Sequence, residues 1–217
     1  MKVIFCDICG TLFYSNTTFD FIDYVVNSRK YLFFKKIFLN YCFRKINALF
    51  YHLFGVDLLK RLSIRFLKGL SKNELSVKAK EFYANYLSSH RIAESFSLVN
   101  EYRNRGYYLY LVSATLDVIA ESVGKGLNAD VVLSSSLYYD SKDVCTGKIK
   151  IDLFGRKWEC LCKNDYDIES MLVITDDFSD LELIKQAQMV YIVTNVVNMH
   201  RWKAYLKNIY NLEFIVK

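Results

Sequence analysis

Four places in this 217-residue chain carry side chains that could do chemistry together. Asp7 follows the apolar run 3–6 and leads into Ile8-Cys9-Gly10-Thr11-Leu12. Ser113-Ala114-Thr115 follows a second run, 107–112. Lys157 lies in a short helical stretch, 156–162, and Asp176-Asp177-Phe178-Ser179-Asp180 follows a third run, 171–175. Carboxylates in number suit a hard cation that takes oxygen ligands, and a carboxylate can itself act as a nucleophile. A hydroxyl and an ammonium can stabilise negative charge as it develops. Taken singly, each residue has a plainer reading. Asp7 could cap a loop, Ser113 a strand end, and Asp180 could be an acid in the first turn of a helix. Lys148, Lys150 and Arg156 stand near Lys157 as rival cations. The three histidines, His52, His90 and His200, are scattered, and Cys160-x-Cys162 completes no zinc spacing.

The elements that would position these groups alternate. β-type runs are expected at 3–6, 107–112, 130–133, 171–175 and 190–193, with a hairpin or flap over 137–151 around Thr146-Gly147. Helices are expected at 117–124, at 156–162, after Ser179-Asp180-Leu181-Glu182, and from Asn198 to Tyr210 as the closing element. Such alternation implies an α/β fold with a Rossmann-like, mostly parallel sheet covered on both faces. In such sheets chemistry sits beyond the carboxyl ends of the strands, where Asp7, Ser113 and Asp176 fall. Residues from about 18 to 104 read as helical, with a Ser71–Glu74 capping box opening one helix. That block is too long for an ordinary crossover. The expected organisation is a core of 1–14 and 105–217 with an inserted helical cap at 15–104.

This set of motifs, in this order, resembles the haloacid dehalogenase superfamily, and most closely its phosphoserine-phosphatase-like branch. The resemblance implies Mg²⁺-dependent phosphoryl transfer through an aspartyl phosphate on Asp7. It assigns metal binding to Asp7, Asp176 and the Cys9 backbone carbonyl, with Asp180 or Asp177 supporting the metal. It assigns phosphate contacts to Gly10, Thr11, Ser113, Ala114 and Lys157, of which Ser113 and Lys157 also act in catalysis. The chemistry is consistent: phosphoryl transfer needs positioning and charge neutralisation above all. The implied substrate is a phosphorylated small metabolite or a lipid-linked phosphate. The alternatives are a nearly inactive phosphate-binding member, or an interaction module acting on a membrane or RNA.

One position departs from the family's phosphatase pattern. A second aspartate normally stands two residues after the nucleophile, as general acid and base, and here that residue is Cys9. A thiol is a poor acid near neutrality, and general acid–base help is worth about 10²–10⁴ in rate. Cys6 and Cys9 also form a C-x-x-C, for which burial of Cys6 in the strand is the expected explanation.

The rest of the composition bounds the answer. Hydrophobic residues make up 53%, which excludes a disordered chain. Proline is absent, which excludes a polyproline ligand. The start, MKVIFCDICG, has too short an apolar run for a secretion signal, so the six cysteines are expected reduced and the chain cytoplasmic. The net charge of +6 is uneven: residues 29–72 hold 11 Lys/Arg and one acid, Asp57. Nine Phe or Tyr lie in 31–54. An anionic membrane surface is therefore a candidate partner of 29–72, with the protein peripheral to it; no specific nucleic acid is expected. Lys60, Arg61, Arg65 and Lys68 are expected at the surface, with Leu58, Leu59, Leu62 and Phe66 turned inward.

Overall fold

A computed structural model describes residues 1–38, 40–162, 167–207, 209 and 211–217, with the side chains of Arg44 and His52 left aside. Its centre is β1 (Lys2–Cys6), whose alternating side chains serve both faces of the sheet. Val3 and Phe5 join one buried cluster, and Ile4 and Cys6 join the other. The same alternation holds in β2 (Tyr108–Leu116), β5 (Ser170–Thr175) and β6 (Met189–Thr194). A strand apolar on both sides must be covered twice, which selects the layered α/β arrangement.

Seven strands form one sheet in the order β4-β3-β2-β1-β5-β6-β7, with β3 at Val131–Tyr139, β4 at Cys145–Ile151 and β7 at Leu212–Val216. All pairings are parallel except β3 with β4. This is the α/β, Rossmann-like sheet that the alternation implied. After β4 the chain crosses to the other side of β1 and continues there as β5. The crevice beside the end of β1 is thus the topological switch point, where ligands bind in such sheets.

Several boundaries differ from expectation. The hairpin turn lies at 140–143, where Asp140 accepts from the Lys142 and Val144 amides, so Thr146 and Gly147 fall within β4. The closing helix ends earlier, at Val196–Tyr205, and the chain then adds edge strand β7; Tyr210, the expected helix end, lies outside the described residues. Five residues after a helix carry too short an alternation to be read as a strand without its neighbour β6.

Among the described residues six α-helices lie between β1 and β2: α1 (Thr17–Val25), α2 (Arg29–Phe38), α3 (Tyr41–Phe54), α4 (Leu58–Ile64), α5 (Lys72–Asn85) and α6 (Ala93–Asn104). The capping box is present, with Ser71 Oγ accepting from Glu74 N and Glu74 accepting from Ser71 N. The outgoing and returning chains run side by side. Tyr14 N donates to His90 O at 2.7 Å, and Ile92 N to Leu12 O at 2.9 Å.

The expected inward face of α4 is corrected. Leu59, Lys60, Ser63, Ile64 and the following Leu67 are buried, while Leu58, Leu62 and Phe66 are half-buried. Arg61, Arg65 and Lys68 are exposed, as expected, but Lys60 points inward. The stripe 60, 63, 64, 67 is itself a helical face. Polar residues within it drew the reading to the more apolar neighbours.

Candidate active site

Asp7 stands directly after β1, and its amide donates to Ile174 O of β5 at 3.0 Å. The carboxylate is buried. Oδ1 accepts from the Ile8 amide at 2.6 Å, and Oδ2 meets Lys157 Nζ at 2.7 Å. Lys157 opens the short helix Lys157–Cys162 and reaches Asp180 Oδ2 at 2.7 Å as well. Burial works against its charge, but Asp180 and Asp7 outweigh burial and hold the ammonium well above the ordinary lysine range. Asp180 also accepts from Thr175 Oγ1 at 2.6 Å. Burial lifts its carboxyl above the usual range although Lys157 opposes this. Its other oxygen, Oδ1, is buried and finds no hydrogen-bond partner among the described residues. The segment Ser179-Asp180-Leu181-Glu182 was expected to cap the next helix. Asp180 stands at the N-cap position of the helix Leu181–Gln186 but makes no capping side-chain hydrogen bond there, and Asp177 caps the 3-10 turn Phe178–Asp180, accepting from Ser179 N at 2.8 Å.

Asp176 follows β5. Its Oδ1 accepts from Thr11 Oγ1 at 3.1 Å, and its Oδ2 meets Lys217 Nζ at 3.1 Å. Lys217 also donates to the Gly10 carbonyl. Burial pushes the Asp176 carboxyl up to about 6; Lys217 opposes this, and the charge of Asp7 adds to it. Gly10 is required here on two counts. Its φ is +68°, and a Cβ would sit 2.0 Å from Asp176 Oδ2.

A cavity of about 340 Å³ opens at the strand ends, lined by Asp7, Cys9, Ser113, Ala114, Asp176 and Asp177. Thus six of the ten residues picked out in the sequence share one cavity. Of the other four, Thr11 holds Asp176, Lys157 holds Asp7, Asp180 holds Lys157, and the Gly10 carbonyl accepts from Lys217. Ser113 is fully buried at a register shift in β2, its Oγ accepting from Thr115 N at 3.3 Å. Cys9 Sγ donates to Ser15 O at 3.3 Å. Burial, with Asp176 and Asp7 adding to it, pushes that thiol up to about 12.

Sequence reasoning missed three residues at the site. Lys60, from α4, also lines the cavity. Its Nζ donates to Ala114 O at 2.9 Å, Ser135 Oγ at 3.2 Å and Asp152 Oδ1 at 2.7 Å. Asp152 is therefore the second missed residue: with Lys60 it ties the inserted helices to the segment leading to Lys157. Lys217 is the third, and nothing in its sequence surroundings marks it. From the insertion, Asn16, Phe19 and Asp57 complete the wall.

The family profile of haloacid dehalogenase-like hydrolases matches residues 4–185. The chain belongs to that family. As a haloacid dehalogenase-like hydrolase it matches no curated protein sequence, so its relatives are visible through solved structures. A protein of unknown function from Bordetella pertussis Tohama I superposes with a TM-score of 0.75 at 13% identity, over 99% of this chain and 97% of that one. A phosphoserine phosphatase in its apo form gives 0.62 at 18% identity, over 100% and 94%. A cytosolic 5'-nucleotidase IIIB bound to cytidine gives 0.59 at 11%, over 99% and 80%. At such identities these likenesses concern the fold alone.

The fit of a divalent cation can be judged from the donors. Among the described residues no group of three His, Cys, Asp or Glu side chains converges as a closed metal cage. Mg²⁺ needs none, since it commonly takes one or two carboxylates and keeps several waters. Asp7 and Asp176 line one cavity with Asp177, and the charge of Asp7 adds to the burial that raises the Asp176 carboxyl. These hard oxygens fit Mg²⁺.

Proposed function

We propose that this haloacid dehalogenase-like hydrolase is a Mg²⁺-dependent phosphatase acting through an aspartyl phosphate on Asp7. The observation that carries this reading is the buried Asp7–Lys157–Asp180 chain at the end of the central strand. Lys157 fixes Asp7 Oδ2 and the Ile8 amide fixes Oδ1, so the carboxylate is preorganised rather than free to turn. Asp7, the Cys9 carbonyl and Asp176 would hold the metal, with Asp177 and Asp180 in support. Bound there, Mg²⁺ would neutralise charge between the carboxylates and the phosphate. Ser113, the backbone at Ala114 and the Gly10-Thr11 turn would surround the phosphoryl oxygens. The helices of 15–104 would act as a cap, tied to the core through Lys60 and Asp152. The decisive experiment is a screen of phosphorylated compounds with and without Mg²⁺, using the Asp7→Asn protein as control. Equal turnover by both proteins would refute the reading.

Cys9 sets a limit on that activity. Its thiol, pushed up to about 12 and donating to Ser15 O, holds its proton too firmly to protonate a leaving group at neutral pH. Leaving groups that need no proton, as in acyl or p-nitrophenyl phosphates, should therefore outrun alkyl phosphates. Cys9→Asp should raise alkyl-phosphate turnover at least ~10-fold, within the range of general acid catalysis. An unchanged rate in a folded variant that still binds Mg²⁺ would show that the missing acid is not limiting.

The cavity's charge bears on the substrate. Four carboxylates, Asp7, Asp57, Asp176 and Asp177, line it against one ammonium, Lys60. The three donors of Lys60 are already matched by Ala114, Ser135 and Asp152. A leaving group with its own carboxylate therefore finds no unspent cation in the cavity. A leaving group with an amine meets Asp57 and the Phe19, Phe154 and Phe178 rings. Phosphoethanolamine and O-phosphoserine differ by one carboxylate. Phosphoethanolamine should have the higher kcat/KM by ~10-fold, on the order of one close charge contact. Lys36 lies in an adjoining outer cavity that shares Asn16, Phe19 and Asp57. A preference for phosphoserine would mean that Lys36 captures the carboxylate.

A further inference from the structure

Helices α2 and α3 carry apolar side chains on the side turned away from the protein. On α3, Asn47 and Tyr51 face inward: Asn47 Nδ2 donates to Asp57 Oδ1 at 2.9 Å, and Tyr51 packs on Phe154 with ring centroids 4.5 Å apart. Opposite them, at spacings of three and four residues, run Ile46, Leu49 and Leu53, all between 58% and 63% exposed. On α2, Tyr31 and Phe34 are buried, while Leu32 and Phe33 point outward at 56% and 67% exposure. The two helices meet through Phe38 and Phe43, whose ring centroids are 5.0 Å apart. This inverts the usual arrangement, in which the polar face of a helix meets water.

Charge selects the occupant of this surface. Residues 29–54 contain six Lys/Arg and no Asp or Glu. Arg29 shares the outer side of α2 with Leu32 and Phe33, and Lys45 flanks the stripe of α3. We propose that α2 and α3 dock the protein onto an anionic lipid bilayer, with Leu32, Phe33, Ile46, Leu49 and Leu53 entering the interface and the lysines and arginines meeting lipid headgroups. Apolar insertion combined with cationic attraction is how monotopic helices bind membranes. Among the described residues no helix is long and apolar enough to cross a membrane, so these helices lie on the surface. A two-fold pair of identical chains would set this cationic patch against itself, which like-charge repulsion disfavours. RNA would pair with the lysines, but of the five apolar side chains on this surface only Phe33 offers a base a ring to stack on, and the aliphatic Leu32, Ile46, Leu49 and Leu53 suit lipid. The inference does not depend on the catalytic reading.

The test is co-sedimentation of the full chain with vesicles of phosphatidylcholine alone and of phosphatidylcholine with phosphatidylserine. The expected result is binding to the anionic vesicles, weakened several-fold on going from ~0.1 to ~0.5 M salt, where the screening length shortens. The Phe33→Ser/Leu49→Ser/Leu53→Ser protein should bind the same vesicles at least ~10-fold more weakly. These side chains are solvent-exposed, so it should melt near the wild-type temperature. Arg29→Gln/Lys45→Gln should weaken binding in the same direction and reduce its salt dependence. No binding to anionic vesicles, equal binding to both vesicle types, or unchanged binding by the triple variant would each overturn the proposal. So would a concentration-dependent dimer abolished by the triple variant, or retention of RNA on filters by a chain that ignores vesicles.

Discussion

Asp7→Asn should abolish turnover of every substrate that the wild-type chain hydrolyses, with kcat lower by ~10⁴-fold or more. An amide cannot take up the phosphoryl group, so the whole two-step route closes. The variant should nevertheless fold. The carboxamide oxygen can keep the Ile8 amide contact, and Lys157 retains Asp180 as its partner. Removing one of two carboxylates around a single ammonium also relieves their mutual repulsion. The measurement is steady-state hydrolysis of p-nitrophenyl phosphate beside a circular-dichroism melt. Borohydride reduction of the wild-type enzyme during turnover, followed by peptide mapping, should place the modified residue at position 7. Label at another position, or a folded Asp7→Asn protein of near wild-type rate, would remove Asp7 from the mechanism.

Lys157→Met should be the most destabilising single change in the site. Lys157 is 3% exposed and joins Asp7 and Asp180, each at 2.7 Å. Methionine fills a similar volume but leaves two buried carboxylates facing each other without a cation. Breaking a buried pair from one side costs about 3–5 kcal/mol. For a domain of this size that lowers Tm by roughly 6–20 °C. The sign of the pH dependence follows from Asp180, whose carboxyl burial already raises above its unfolded value. A carboxyl raised in the folded state binds its proton more tightly there, so its contribution to stability grows as pH falls. The penalty of Lys157→Met should therefore be greatest at neutral pH and smaller near pH 5, where protonation removes the stranded charge. Thermal melts of both proteins from pH 5 to 8 would read this directly. A penalty that does not vary with pH would mean that packing, not charge, is what Lys157 supplies.

By itself the sequence determined the alternation of strands and helices, the helical block between the first two strands, and the strand-end placement of Asp7 and Asp176; Ser113, expected just past a strand, lies inside β2 at its register shift. Short continuous apolar runs closed by Asp or Ser are local signals, and local signals survive without coordinates. The Ser71–Glu74 box was legible for the same reason: its partners lie three residues apart. The site's second layer was not legible. Lys60 finds Asp152 across 92 positions, and Lys217 finds Asp176 across 41. No periodicity encodes such pairings. Lys60 also broke the pattern that would have revealed it, because a buried lysine is tolerated only once its partners are in place. Asp180 was picked out as a site residue, but its pairing with Lys157 came only with the tertiary structure. Strand β7 needed β6 to exist, and the outward apolar stripe of α3 needed the inward Asn47–Asp57 contact to fix which side faced out. An amphipathic helix announces that it has two faces; only the tertiary packing decides which of them meets the solvent.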